Sequence, residues 1–274
     1  MAEQTRLQSR YLVTGALVLK TALHIGGGES ILGTTNSPVI RDVDGQPFIP
    51  GSSLKGAFRS MVEKLAATLA LPHMEHDVLD TASDWVQQFH TRREQGMWTD
   101  SQTVERVVDE WPVTALLFGT PYTTSSIRFK DALLLAEQDA FIQRRDGVAI
   151  DRDSERAMDG LLYDYEVVPP TLRFGFELGL ENPSPMDLRL TAMGLVEMRN
   201  GFFQIGGKRS SGLGQCQLEG IEVYALDLNI QSIEERAKRL RRYLTGRRLE
   251  DKFERQDANA FLESQVESLL SQVS

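Results

Sequence analysis

Tyr11-Leu-Val-Thr-Gly-Ala-Leu-Val-Leu-Lys-Thr-Ala-Leu-His-Ile25 sets most of its apolar residues on odd positions: Tyr11, Val13, Leu17, Leu19, Leu23 and Ile25. A period of two sends successive side chains to opposite faces, so the stretch predicts a strand with one buried face and with Thr14, Lys20 and His24 on the other. Gly26-Gly27-Gly28 stops that strand and lets other backbone come close. The alternation returns in Leu172, Phe174, Phe176 and Leu178, and strand patterns recur over Ser126 to Leu135 and Gln215 to Ala225. Between them, Ser52 or Ser53 is a good N-cap for a helix striped by Leu54, Phe58, Met61, Leu65 and Leu69. Met186 to Asn200 predicts a second helix through Ala192, Leu195, Val196 and Met198.

This order of strand, helix, strand, finger, strand, helix and strand predicts an α+β protein with a ferredoxin-like, split βαβ core. The core domain is expected over residues 11–225. Residues 71–112 read as an inserted helical lobe, and residues 146–170, ending in Pro169-Pro170, as a protruding hairpin. Beyond the core, Ile233, Ala237, Leu240 and Leu244 mark one helix, and Leu262, Val266, Leu269, Leu270 and Val273 another. Residues 226–274 are therefore expected to form a C-terminal helical extension.

The chain has 274 residues, 41% hydrophobic and 25% charged, with a formal net charge of −9. These values exclude collagen-like, low-complexity and disulfide-scaffold classes, and also a wholly basic nucleic-acid coat, although they leave room for a local basic groove. One cysteine, Cys216, forms no internal disulfide and suits a reducing compartment. Met1 to Arg10 is polar, without the apolar segment of a secretory signal, and no apolar run approaches the ~20 residues that span a bilayer. A soluble, cytoplasmic protein is expected.

Two stretches suit anions. Gly206-Gly-Lys-Arg-Ser-Ser-Gly-Leu-Gly214 has four glycines in nine residues, which would free backbone N–H groups, and adds Lys208, Arg209, Ser210 and Ser211. It is not a Walker A loop: the spacing is off, Arg209 stands where a hydroxyl is needed, and a strand follows. Its plain alternative is a flexible surface hairpin. Pro50-Gly-Ser-Ser-Leu-Lys-Gly-Ala-Phe-Arg59 joins a helix N-terminus to Lys55 and Arg59, four residues apart. Capping serines and a solvated basic face explain that stretch equally well. Together the two could track a polyanion backbone.

Asp42 and Asp44 are oxygen donors for a divalent cation, but a turn at Asp44-Gly45 explains them more simply. His73, His76 and His90 match no zinc spacing. His24, read as exposed, is a candidate for base stacking or proton transfer, against a default of a solvated histidine. Arg236, Lys238, Arg239, Arg241, Arg242, Arg247 and Arg248 make a basic run: a solvated helix face, a nucleic-acid clamp, or a contact for an acidic neighbour.

Leu23-His-Ile-Gly-Gly-Gly28, Asn36-Ser-Pro-Val-Ile-Arg-Asp42 and Phe48-Ile-Pro-Gly-Ser-Ser-Leu-Lys-Gly56, in this order, resemble the signature of RAMP-superfamily proteins. More narrowly they resemble the repeated backbone subunit of type III CRISPR effector complexes. Leu117-Phe-Gly119, Ile127-Arg-Phe-Lys-Asp131, Val148-Ala-Ile-Asp-Arg152 and Gly206 to Gly214 continue the match over most of Tyr11 to Ala225. The resemblance implies an RRM-like core stacked along a guide RNA for antiviral defence, with a thumb at 146–170 wedged between segments of the guide–target duplex. It implies RNA contacts from His24, Gly26, Gly27, Ser52, Ser53, Lys55, Arg59, Arg152, Lys208, Arg209, Ser210 and Ser211. Most would reach phosphate and ribose, because base pairing supplies specificity. Guide RNA, target RNA and other RAMP subunits are the implied partners. No membrane and no cofactor are implied for binding.

The residue before Ser-Pro-Val in this family is commonly an aspartate that supports metal-dependent cleavage of target RNA, and here it is Asn36. A neutral amide offers neither the charge that Mg²⁺ prefers nor a base, so a holding role is expected rather than a cutting one. If cleavage with Mg²⁺ occurs, Asp42 and Asp44 are the carboxylates to suspect. The 71–112 insertion and the basic C-terminal segment point to a specialised member, of a III-D-like complex. A repeat-RNA processing nuclease using His24 ranks last, since it rests on one histidine.

Overall fold

Val13, Leu17 and Leu19 lie on one buried face of β1 (Ser9–Leu19), and the sheet grows outward from this strand. The computed structural model describes residues 6–27, 37–71, 84–120, 122–135, 140–150 and 157–273. After β1 come β2 (Phe48–Ile49), α1 (Gly51–Thr68), α2 (Asp84–Glu94), α3 (Asp100–Glu110), α4 (Val113–Phe118), β3 (Ile127–Phe129) and β4 (Ala132–Leu133). β5 (Gln143–Ile150) and β6 (Ala157–Val167) form the thumb hairpin, followed by β7 (Arg173–Glu181), α5 (Pro185–Arg199) and β8 (Phe203–Gln204). The chain ends with β9 (Gln215–Asp227), α6 (Ile233–Thr245), α7 (Leu249–Lys252), β10 (Glu254–Gln256) and α8 (Ala258–Val273). The main sheet is antiparallel, in the order β10-β9-β1-β7-β3, with β8 paired to β9. The α+β class is as expected.

Register aligns the apolar positions. Val13 faces Leu178 and Val223, and Leu17 faces Phe174 and Leu218. Against this inner face pack Leu54, Phe58 and Val62 of α1, Leu190, Leu195 and Met198 of α5, and Leu262 and Leu269 of α8. Each such side chain, fully buried, gives roughly 1.5–3 kcal/mol, so this layer is the main source of stability. The other face is covered at one end by a smaller cluster of Tyr224, Leu226, Leu228 and Phe253, with Leu12 and Tyr243 against it. Tyr243 belongs to α6, so the end of the sheet's outer face is closed by the chain's own C-terminal segment. Residues 226–274 are thus more than a helical extension: β10 extends the sheet and α8 enters the main core.

Four local expectations are corrected. β1 ends at Leu19, because the N–H groups of Lys20 and Thr21 turn to the Gln215 carbonyl, and the alternation does not survive that turn. His24 is consequently buried, at 8% exposure, where a solvated side chain was expected. α1 starts at Gly51 with Pro50 as N-cap, not Ser52 or Ser53; the Gly51 N–H donates to Asp131 Oδ1 at 2.7 Å, a cap supplied from β3's far end. Of the expected stripe, Leu54 and Phe58 are buried, while further along Val62 and Ala66 are buried and Met61, Leu65 and Leu69 only partly so. In and beside the lobe, α2, α3 and α4 build a separate small core of Phe89, Val107, Trp111 and Ala115, and Thr99 with Gln102 forms a capping box. Cys216 is buried in β9, and burial pushes its thiol up to about 12. No helix of the described residues is long and apolar enough to cross a membrane.

Candidate nucleic-acid interface

The end of β1, the root of the thumb and the Gly206–Gly214 loop meet at one place. Leu23 and Val168 exchange backbone hydrogen bonds at 2.8 Å, which ties the residues after β1 to the residue following β6. His24 Nδ1 lies 2.7 Å from the Glu166 carbonyl, and its Nε2 lies 3.2 Å from Ser37 Oγ. The ring is therefore held at both nitrogens and edge-on to Tyr165, with centroids 5.7 Å apart. Held this way, it is a brace between the thumb and the 37–41 segment rather than a free acid or base. Glu166 Oε2 accepts from the Val39 N–H at 3.1 Å and from Arg41 at 2.9 Å, and the Glu166 N–H donates to the Ser37 carbonyl.

The glycine-rich loop works differently from the expectation. The N–H groups of Gly207 and Gly214 donate to the carbonyls of His24 and Ala22, each at 2.8 Å, while those of Ser211, Gly212 and Leu213 close bonds within the loop. These donors are spent on structure. The glycines serve close approach: Gly206 and Gly214 have φ near +84° and +83°, and a Cβ on either would come well under 3.0 Å from a carbonyl oxygen. The side chains of the loop remain for ligand contact. Arg209, Ser210 and Ser211 are exposed on a short 3₁₀ turn. Lys208 adopts a left-handed backbone with φ 56°, a conformation that costs about 1–2 kcal/mol for an L-residue. Its Nζ sits 4.5 Å from the Tyr163 ring centroid and 4.4 Å from that of Tyr165. The two rings stack at 6.1 Å, so a cation and two aromatic faces are gathered at the thumb root. Gly26 and Gly27 are exposed beside it.

The second group lies at the start of α1. Ser52 and Lys55 line an open cleft of about 830 Å³ with Thr120, Thr123, Ser125 and Arg128. Burial, and then the nearby charge of Arg59, hold the Lys55 ammonium below the usual lysine range. Among the described residues no carboxylate pairs with Lys55, whereas Arg59 binds Glu63 at 2.7 Å and lies over the Phe118 ring. Lys55 is the cation open to an anion, and Arg59 is largely engaged; Ser53 is half-buried.

Arg152 and Asn36 lie outside the described residues. Asp42 Oδ1 accepts from the N–H groups of Asp44 and Gln46 at 3.0 and 2.9 Å, so its carboxylate shapes a turn, with Asp44 exposed at the tip. Among the described residues no three His, Cys, Asp or Glu side chains gather as a metal would require. Sequence reading missed Tyr163 and Tyr165, although their i, i+2 spacing in Tyr163-Asp-Tyr165-Glu-Val167 marks one face of a strand. It also missed the hydroxyl-rich Thr123-Thr-Ser-Ser126, which the Gly119 stop should have flagged as a loop.

The β9-β1-β7-β3 order with helices on one face is a ferredoxin-like fold carrying a thumb hairpin and a basic, glycine-cradled loop at its root. The family model described as the RAMP superfamily matches residues 16–217, and the chain belongs to that superfamily. Among its relatives are proteins named CRISPR system Cms endoribonuclease Csm3. The one from Methanocaldococcus jannaschii is 44% identical over 64 residues, covering 23% of this chain and 26% of the relative. That from Methanothermobacter thermautotrophicus is 48% identical over 61 residues, 21% and 25% of the two chains. The match thus spans about a quarter of the length of these two relatives. The Streptococcus thermophilus protein aligns over 228 residues at 25% identity, covering 74% of this chain and 84% of the relative.

Proposed function

We propose that this chain is an RNA-binding backbone subunit of a type III CRISPR effector complex, acting in the cytoplasm in antiviral defence beside other RAMP subunits. It holds a guide RNA paired with target RNA in a segmented duplex. The observation that carries the reading is the gathering of Lys208, Tyr163 and Tyr165 at the thumb root, next to exposed Arg209, Ser210 and Ser211. Cations and hydroxyls there suit phosphates, and a ring pair at the base of a protruding hairpin suits a base unstacked from its neighbour. Lys55 in its hydroxyl-lined cleft gives a second phosphate contact. The net charge of −9 is compatible with this, since binding needs cations only along the RNA path.

Asn36 makes this a holding subunit, with no cofactor required for binding; Mg²⁺ enters only if cleavage occurs. The test is guide-RNA binding by the assembled complex with Lys55→Glu plus Lys208→Glu. Affinity should fall equally for unrelated spacer sequences, and the log–log salt slope should shrink by about one unit per lost phosphate contact. Unchanged affinity and slope would remove both residues from the RNA path.

A further inference from the structure

The thumb hairpin sorts its charges by face. Register sets Arg145 opposite Tyr165 and Gly147 opposite Tyr163, so these four positions share one face, and it puts Arg144, Asp146, Asp164 and Glu166 on the other. Over residues 143–147 and 163–167, every carboxylate lies on that second face and is engaged there. Arg144 meets Asp164 at 2.9 Å and Asp146 at 3.7 Å, and Arg41 meets Glu166 at 2.9 Å. The first face carries no acid over those residues. Its Arg145 is exposed, and among the described residues no carboxylate lies within ion-pair distance of it and no ring lies beneath it. Gly147 serves this face too: a Cβ there would fall well inside 3.0 Å of the Tyr163 ring, so its absence lets the ring lie across β5. Tyr163 is 42% exposed in that position.

Two rings 6.1 Å apart, flanked by Arg145 from the thumb and Lys208 from the core loop, thus bring two cations to one small surface. That surface suits a polyanion. Bases inside a duplex are stacked on both sides by their neighbours, so open rings are met by a base that has left the stack. Lys208 Nζ already sits over both rings, at 4.5 and 4.4 Å, and a base that takes them displaces the ammonium. The phosphate of that nucleotide then needs a cation beside the rings rather than above them. Arg145 has that place. Cross-strand neighbours stand about 5 Å apart at Cβ, within reach of a guanidinium fork that grips phosphate through two donors.

We propose that this face of the thumb is a seat for one unpaired RNA nucleotide, its base on Tyr163 and Tyr165 and its phosphate held by Arg145. This rests on the reading of the chain as an RNA-binding subunit and adds Arg145 to its RNA path. The experiment uses the assembled complex, with 5-iodouridine walked in turn along the guide and along the target RNA. Irradiation should crosslink one nucleotide to the peptide that holds Tyr163 and Tyr165, and the strand carrying it is the one seated. Arg145→Gln changes an exposed side chain with no ion-pair partner to lose. It should weaken binding of that strand about tenfold and lower the log–log salt slope by about one unit. A methylphosphonate at one of the two phosphates flanking the crosslinked nucleotide, tested in turn, should cause the same loss in the wild type and add nothing in Arg145→Gln. Lys238→Gln, which removes a cation of α6, should leave affinity and slope at wild-type values. Losses that add, unchanged affinity in Arg145→Gln, an equal loss in Lys238→Gln, or no crosslink to either tyrosine overturns the seat. Failure of the functional reading looks different, because Lys55→Glu with Lys208→Glu would then also bind RNA as the wild type does. If that double variant weakens binding and Arg145→Gln does not, the seat alone falls.

Discussion

Gly206→Ala and Gly212→Ala make a matched pair that tests whether the glycine-rich loop is a packed element or a loose one. Both glycines have φ +84°, so alanine pays the same left-handed strain at each, about 1–2 kcal/mol, offset by roughly 0.4–1 kcal/mol from a stiffer unfolded chain. At Gly212 nothing lies within 4 Å of the new Cβ, and the net cost is about 0.5–1 kcal/mol. At Gly206 the new Cβ meets the His24 carbonyl oxygen well inside 3.0 Å. That oxygen has little freedom, because it accepts the Gly207 N–H at 2.8 Å. Relief requires the loop to withdraw, which breaks that bond at about 1 kcal/mol and adds overpacking of about 1–2 kcal/mol. The total for Gly206→Ala is about 3 kcal/mol. Urea unfolding of the full chain measures the difference: ~2 kcal/mol at an m-value of about 3 kcal/mol/M separates the two midpoints by roughly 0.7 M. Guide-RNA affinity should also drop for Gly206→Ala alone, since withdrawal carries Lys208 off the tyrosine pair. Equal midpoints and equal affinities would show that the loop does not depend on its contact with His24.

Asp131→Ala removes the distant cap of Gly51 and should cost about 1 kcal/mol. It should also weaken RNA binding, although loss of a negative charge alone would strengthen it; the sign of the affinity change separates the two effects. Lys55→Met should raise the Tm of the free chain at pH 7 while weakening RNA binding. The folded lysine is held below its usual 10.5, so its penalty is full at neutral pH and fades as pH rises through the window just under 10.5. The two Tm values should therefore converge toward that pH; a constant gap would exclude the charge as the cause. Asn36→Asp, in complex with labelled target RNA and Mg²⁺, should gain a cut opposite this subunit that the wild type lacks. A wild-type cut at that nucleotide would redirect attention to Asp42 and Asp44.

The sheet was legible because its signal is local. In and just before β7 the pattern Leu172, Phe174, Phe176, Leu178 needs no partner to be read, and the inner face follows directly. What escaped was whatever depends on distant chain. The cap of α1 comes from Asp131, eighty positions away by the bond's own span, so nearby serines stood in for it. His24 was misread because alternation was extended past Leu19, where Lys20 and Thr21 turn to Gln215. The loop at Gly206 was expected to offer its backbone N–H groups, whereas Gly207 and Gly214 spend theirs on the distant carbonyls of His24 and Ala22. In α6 the helix was evident, but which side faces inward is set by carbonyls at Asp227, Leu228 and Ile230, and no hydropathy pattern reports those.

The wiring around Glu166 has a mechanical consequence. One residue at the thumb's root is bonded through its N–H, its carbonyl and its carboxylate to Ser37, His24, Val39 and Arg41. A hairpin hinged on a single strand would swing freely, and a push at its tip would dissipate there. Here the fulcrum is clamped from two sides, so torque on β5 and β6 passes into the segment beginning at Ser37, directly after Asn36. The thumb is a lever whose short arm is the segment from Ser37 to Arg41.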